Sequence, residues 1–283
     1  MGHRAGEDFH VRTMRADEIG VAIDWAAAEG WKPGLGDAQC FAVVDPGGFL
    51  VGEFEGKPAA TISTVVYDDH FAFLGFYIVR PDLRGRGFGM RIWQAGMAHA
   101  GGRSVGLDGV VAQQANYRKS GFALAYNNIR YGGVPALTGA ADTTVALRDV
   151  PFDVLNADDA RIFPAPRRAF LAAWVGAPGH RGRALIRDGE LVAWGVIRPC
   201  RIGRRIGPLI ADDRRAAEAV FSALVAGGEG DVFIDVPEPN RAAAELATAH
   251  GLAPVFETAR MYSGPIRPLA VERVFGVTSL ELG

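Results

Sequence analysis

Across 283 residues the chain has only two cysteines, Cys40 and Cys200, far apart, so a disulfide framework is excluded and reduced thiols in a cytoplasmic protein are expected. Its six histidines are scattered without paired ligand spacing, and no metal site is expected. An excess of one charge is also missing. With 30 basic against 32 acidic residues the formal net charge is −2, which removes bulk attraction to nucleic acid or an anionic membrane. No apolar run nears the length of a membrane span, and the opening MGHRAGEDFH has no signal-peptide core. What remains is a globular composition, 49% apolar and 22% charged, with length enough for two domains that each own a core.

The most informative segment runs from Phe71 to Trp93, FAFLGFYIVRPDLRGRGFGMRIW. An apolar strand passes a proline, enters the turn Arg84-Gly85-Arg86-Gly87-Phe88-Gly89, and continues as a helix opened by Met90. Such a turn sets unobstructed backbone N–H groups at a helix N-terminus, where unpaired amides and the helix dipole favour an anion such as a diphosphate. Glycine permits positive φ and close approach, and Arg84 and Arg86 add charge-assisted donors. A Walker loop is excluded because no Lys-Ser or Lys-Thr follows these glycines. A dinucleotide fingerprint is excluded because Gly85, Gly87 and Gly89 are spaced two apart, with no acidic partner on a second strand.

Arg-x-x-Gly-x-Gly after a strand resembles the coenzyme A-binding motif of the GNAT family, the GCN5-related N-acetyltransferases. Further on, Tyr117-Arg118-Lys119-Ser120-Gly121-Phe122 is similar to the Tyr-x-x-x-Gly-Phe that closes the same family's active site. The resemblance implies an α/β (α+β) fold whose mixed, mostly antiparallel sheet splays after the central strand, with acetyl-CoA as co-substrate in the splay. It covers roughly residues 9–135.

The coarse reading agrees with that order. A strand is expected over Phe9–Arg15, then a helix to Ala28 with Asp17 as N-cap, and a loop over Gly30–Asp37. Strands follow at Cys40–Val44, Gly48–Phe54, Pro58–Tyr67 and Ala72–Val79, with a hairpin turn at Glu55-Gly56-Lys57. A helix over Gly89–Ala100, a strand at Ser104–Leu107 and two further strands ending near Gly133 complete the half.

The second half is a worn copy of the first. Gly121-Phe122-Ala123 is answered by Gly251-Leu252-Ala253, Tyr126 by Phe256 and Arg130 by Arg260, all at one offset. Glu55-Gly56 is answered by Asp188-Gly189, and the strand before Asp108 by Val232–Asp235. The cradle has no counterpart: Gly207-Pro208-Leu209-Ile210-Ala211-Asp212-Asp213 has two carboxylates that would repel a diphosphate, and the tyrosine position is Ala247. The expected division is a catalytic domain at 1–135, a Gly/Pro/Ala/Thr-rich linker at 136–150, and a degenerate GNAT-like domain at 151–283.

By resemblance, the main chain of Tyr77, Ile78 and Val79 would bond the pantetheine arm, and Arg84, Gly85, Arg86, Gly87, Phe88, Gly89 and Met90 would hold the diphosphate. Tyr117 would protonate the departing thiolate, a task suited to a phenol with pKa of about 10. Many relatives carry an asparagine seven residues before the tyrosine, and here that residue is Val110. Gln113, Gln114 or Asn116 is left for the pantetheine contact, and Asn116 is counted among the cofactor-binding residues. For a general base the candidates are Asp108, Asp68, Asp69 and His70, or ordered water alone. Trp31 and Asp37, an aromatic wall and a carboxylate, are the candidates for a cationic acceptor. The expected activity is acetyl transfer to the primary amine of a small molecule, with no nucleic acid or membrane partner. A CoA-binding sensor without turnover and a protein or peptide acetyltransferase are the alternatives.

Overall fold

The computed structural model describes residues 8–136 and 143–283, so the first residues and part of the expected linker lie outside the described residues. The first half contains β1 (Phe9–Thr13), α1 (Ile19–Ala28), α2 (Asp37–Ala42), β2 (Phe49–Phe54), β3 (Lys57–Val66), β4 (Phe71–Val79), α3 (Phe88–Ala100), β5 (Ser104–Val110), α4 (Gln114–Lys119) and β6 (Ala123–Gly133). The second contains β7 (Val145–Ala146), α5 (Phe152–Asp159), α6 (Arg168–Gly176), β8 (Arg181–Arg187), β9 (Glu190–Pro199), β10 (Arg204–Ala211), α7 (Arg214–Val225), β11 (Val232–Pro237), α8 (Arg241–Ala249), β12 (Ala253–Tyr262) and β13 (Val274–Gly276).

The repeat seen in the sequence becomes a palindrome in space. The strand order is β1-β2-β3-β4-β5-β12-β6-β11-β10-β9-β8-β7, one continuous sheet in which each half gives one strand, β6 or β12, to the other. β12 pairs with β5, β6 pairs with β11, and β6 and β12 pair with each other, with Asn128 opposite its repeat equivalent Thr258. Buried charges follow the exchange. Arg260 reaches Asp108 at 2.6 Å, and Arg130 reaches Asp235 at 2.6 Å, each arginine pairing with the other half's aspartate.

Matching hairpins come from matching turns: Glu55-Gly56 and Asp188-Gly189 both take positive φ at both central residues, the primed geometry that fits strand twist. α3 buries Phe88, Ile92, Trp93, Gly96 and Ala100, one face of a helix, against β2–β4. α7 and α8 cover the second half in the same way, while α1, α2 and α6 share one core across both halves, with Phe41 stacked on Trp174 at 6.1 Å.

Three expectations are corrected. Cys40–Val44 is no strand, because Cys40 and Phe41 lie in α2; so short an apolar run fits either period, and packing against α6 selects the helix. The two strands expected after Phe122 are the single β6, where the turn-prone Asn127-Asn128 runs straight because it is paired on both edges. Asp17 caps nothing; the Glu18 carboxylate accepts from the Arg15 N–H at 2.8 Å instead. Within the expected linker, Val145–Ala146 forms an edge strand on β8. Among the described residues no helix is long and apolar enough to cross a membrane.

Candidate active site

Parallel pairing of β4 with β5 stops at Leu74–Leu107, and beyond it the strands diverge around a cavity of about 580 Å³. Along one side runs Gly75–Val79, bonded to β3 but no longer to β5. A bulge shapes it: Phe76 takes φ 47, its carbonyl accepts from the Thr61 hydroxyl at 2.8 Å, and the β3–β4 register shifts there. The free edge at Tyr77, Ile78 and Val79 is thereby turned to the cavity, ready to bond an extended ligand arm.

At the outer end lies the cradle. Gly85 and Gly87 have φ 77 and 84, a left-handed backbone open to glycine at little cost, and Gly87 caps α3 with no side chain over the first-turn amides. Arg84, Gly85, Gly87, Phe88, Gly89 and Met90 line the cavity. Arg84 donates to the Val79 carbonyl at 2.9 Å and pairs with Glu29, itself a lining residue, so it must exchange partners to meet an anion. Arg86 does not line the cavity; its guanidinium stacks over Phe54 at 4.4 Å.

Tyr117 stands opposite, on α4, with its ring beside Trp93 at 5.8 Å and against the bare backbone of Gly109. Burial pushes its hydroxyl up to about 12, which keeps the phenol protonated across the physiological range, as a proton donor needs. Asn116 is outside: it is exposed and donates to the Gln113 amide oxygen at 2.7 Å, and it is Gln113 that lines the cavity. The pantetheine candidate therefore moves from Asn116 to Gln113.

Of the acceptor candidates, Trp31 lines the cavity and Asp37 does not. The Asp37 side chain is fully buried, accepting from Arg198 on β9 at 2.8 Å and from the Gly34 N–H at 2.8 Å. Burial works against its anion, but the Arg198 and Arg205 guanidiniums prevail and hold it below the usual carboxylate range. Asp37 thus anchors the loop to the second half. Arg205 and Arg130 finish that task by donating to the Trp31 carbonyl at 2.6 and 2.7 Å.

Three of the four base candidates are elsewhere: Asp68 caps the His70 and Phe71 amides, Asp69 is 96% exposed, and His70 lies in a different surface depression. Asp108 borders the cavity, but its carboxylate is fully buried and accepts from Arg260 at 2.8 and 2.6 Å and from Asn128 at 2.7 Å. The far wall comes from the second half of the chain. It is built by Phe256 and Thr258 of the exchanged β12 and by Leu280 and Glu281 of the segment after β13. That segment presses on β4 so closely that a Cβ on Gly75 would stand 2.1 Å from the Glu281 carbonyl oxygen.

The second half opens the same splay and fills it. β10 and β11 pair only over Arg204–Ile206, and β13 lodges between them, pairing Leu209 with Gly276 while the Val277 N–H donates to the Asp235 carbonyl at 2.9 Å. At the N-terminus of α7 the amide that a ligand would need is taken by the Asp213 carboxylate, which accepts from the Ala216 N–H at 2.7 Å.

Comparison with known proteins agrees with this geometry. A family model described as "Acetyltransferase (GNAT) family" matches residues 18–122, and one described as "Acetyltransferase (GNAT) domain" matches residues 156–276. A protein of Pseudoalteromonas sp. (strain SANK 73390) named Holothin acyltransferase is 33% identical over 270 residues, 94% of this chain and 92% of its own length. A Pyrococcus horikoshii structure described as an acetyltransferase superposes with a TM-score of 0.85 at 21% identity, over 98% of this chain and 96% of that one. A tandem GNAT protein from the clavulanic acid biosynthesis pathway superposes with a TM-score of 0.63 at 12% identity, covering 91% and 99%.

Proposed function

The chain belongs to the GNAT family and is an acyltransferase, and from that premise we propose that it moves the acetyl group of acetyl-CoA to the primary amine of a small molecule by direct attack on the thioester. The observation that carries the reading is the single cavity that joins the amide cradle, the free edge of β4 and the Tyr117 ring. CoA, the co-substrate, supplies the activated acyl group. Its diphosphate is held by the amides of Gly85–Met90 with Arg84, its pantetheine arm by Tyr77–Val79 and Gln113, and Tyr117 gives a proton to the leaving sulfur. In this division residues 1–135 hold acetyl-CoA and supply Tyr117, and 151–283 complete the acceptor side of the cavity, in a cytoplasmic protein. The wall formed by Phe256, Thr258, Leu280 and Glu281 favours a small acceptor over a peptide. The relative named Holothin acyltransferase makes holothin the first acceptor to try.

The test is thiol release from acetyl-CoA with holothin and a panel of small amines; acceptor-dependent turnover is expected, and its absence with every amine would leave a CoA-binding sensor. In a calorimetric titration one CoA per chain is expected, because Val274–Gly276 occupies the second splay. Two equivalent sites would refute that stoichiometry. Gly87→Val should weaken CoA binding by at least about tenfold. A β-branched residue at φ 84 is strained, turning amides away from the diphosphate, and a hydrogen bond to a charged group is worth about 1.5–3 kcal/mol. Unchanged affinity in the folded variant would remove the cradle assignment.

A further inference from the structure

Glu281 is the one carboxylate lining the cavity with a buried oxygen, Oε2, that has no hydrogen-bond partner among the described residues; the other two, Asp108 and Glu29, are bonded to Arg260 and Arg84. Its side chain is 3% exposed, its Oε2 has no hydrogen-bond partner, and its nearest cation, the Arg205 Nη1, stands 3.7 Å away, itself without a hydrogen bond. A buried carboxylate left with unused lone pairs is costly, and such a cost is met when a ligand supplies the donor. The position fits an incoming nucleophile. The Glu281 backbone packs on Gly75, at the start of the β4 edge expected to hold the thioester arm, and Trp31, Phe256 and the unpartnered Thr258 hydroxyl share the same cavity.

We infer that Glu281 is the general base of the reaction, receiving the acceptor's amine and taking its proton; this rests on the acyl-transfer reading above. The free amine nitrogen attacks the thioester carbonyl carbon and forms the C–N bond. As the C–S bond breaks, its electron pair leaves with sulfur, which takes the Tyr117 hydroxyl proton, while the proton on nitrogen passes to the Glu281 carboxylate. The products are the amide and the free thiol of CoA, and solvent returns the proton from Glu281 to Tyr117. The base thus comes from the second half of the chain, beyond the strand that plugs that half's own splay. Arg205 has a counterpart role: it balances the Glu281 charge and pins the Trp31 carbonyl, so acceptor wall and base are set by one guanidinium.

The test is Glu281→Gln in the full chain. Acetyl-CoA affinity by calorimetry should stay within about twofold of wild type, and kcat should fall about 10²–10⁴-fold. Because Arg205 loses one of its counter-charges in that variant, keeping Asp235 at 3.8 Å, Arg205→Gln/Glu281→Gln is the second arm, and it should remain as slow as the single variant. Recovery of turnover in the double variant would reduce Glu281 to a counter-ion. A wild-type kcat in Glu281→Gln, with chemistry rate-limiting, would overturn the assignment while leaving acyl transfer standing. Failure of the wild-type chain to acetylate any amine would overturn both, and is told apart by that fact alone.

Discussion

Tyr117→Phe is expected to lower kcat about 10²–10⁴-fold, the usual contribution of a general acid, while the Kd for acetyl-CoA changes less than about twofold. The substitution removes one oxygen and keeps the ring, so the contacts with Trp93 and Gly109 that position α4 survive. The neighbouring Tyr77 hydroxyl also lines the cavity, but it is directed at Gly89, whose Cβ, if it had one, would stand 2.7 Å from it. Tyr77→Phe is therefore the matched control, with a much smaller loss in kcat. The pH dependence has a definite sign. Burial raises the Tyr117 hydroxyl to about 12, so the donor stays protonated well past the ordinary phenol value of about 10, and no basic limb belonging to Tyr117 should appear below that value. A Tyr117→Phe enzyme within about twofold of wild type, measured where chemistry limits the rate, would return Tyr117 to a packing residue.

What the sequence makes legible is local, and what it hides is the pairing of distant segments. The cradle is spelled out by Gly85 and Gly87, because positive φ at a strand-to-helix junction leaves few alternatives to glycine. The internal repeat is legible for the same reason, since the Glu55-Gly56 and Asp188-Gly189 turns impose their own residues. The strand exchange is not. Arg130 and Arg260 announce equivalent positions, but nothing in either segment states that each finds its aspartate in the other half. Asp37 misleads by the same mechanism: a carboxylate in an acceptor loop suggests a ligand, and its partner is Arg198, far away in the chain and invisible as a neighbour. Glu281 lies after the last recognisable repeat element, so no motif marks it; only its position against Gly75 does. Phe256 is visible in the sequence as the counterpart of Tyr126, a signal of symmetry that gives no hint of its place in the cavity.

A chain cut after Val150 is expected to lose its cooperative fold instead of yielding a free catalytic half. The cut removes β12 from between β5 and β6, and β11 from the other edge of β6, so β6 keeps neither sheet neighbour. Asp108 and Arg130 each lose a fully buried partner, and breaking a buried pair by removing one member costs about 3–5 kcal/mol, against a typical total stability of about 5–15 kcal/mol. The core that α1 and α2 share with α6 would be laid open as well, including the stack of Phe41 on Trp174. The full chain offers a finer measurement. Arg260→Met leaves the carboxylate of Asp108 buried beside Asn128 alone, and should lower the unfolding free energy by about 3–5 kcal/mol, read as a shift in the urea midpoint at unchanged slope. Arg130→Met should cost less from the other side of the pseudo-symmetric pair, since Asp235, although equally buried, keeps Arg205 at 3.8 Å. A truncated half that unfolds cooperatively as a monomer would mean that β6 has swung back to take the place of β12 on β5, and that the exchange is a convenience of the tandem arrangement instead of the source of its stability.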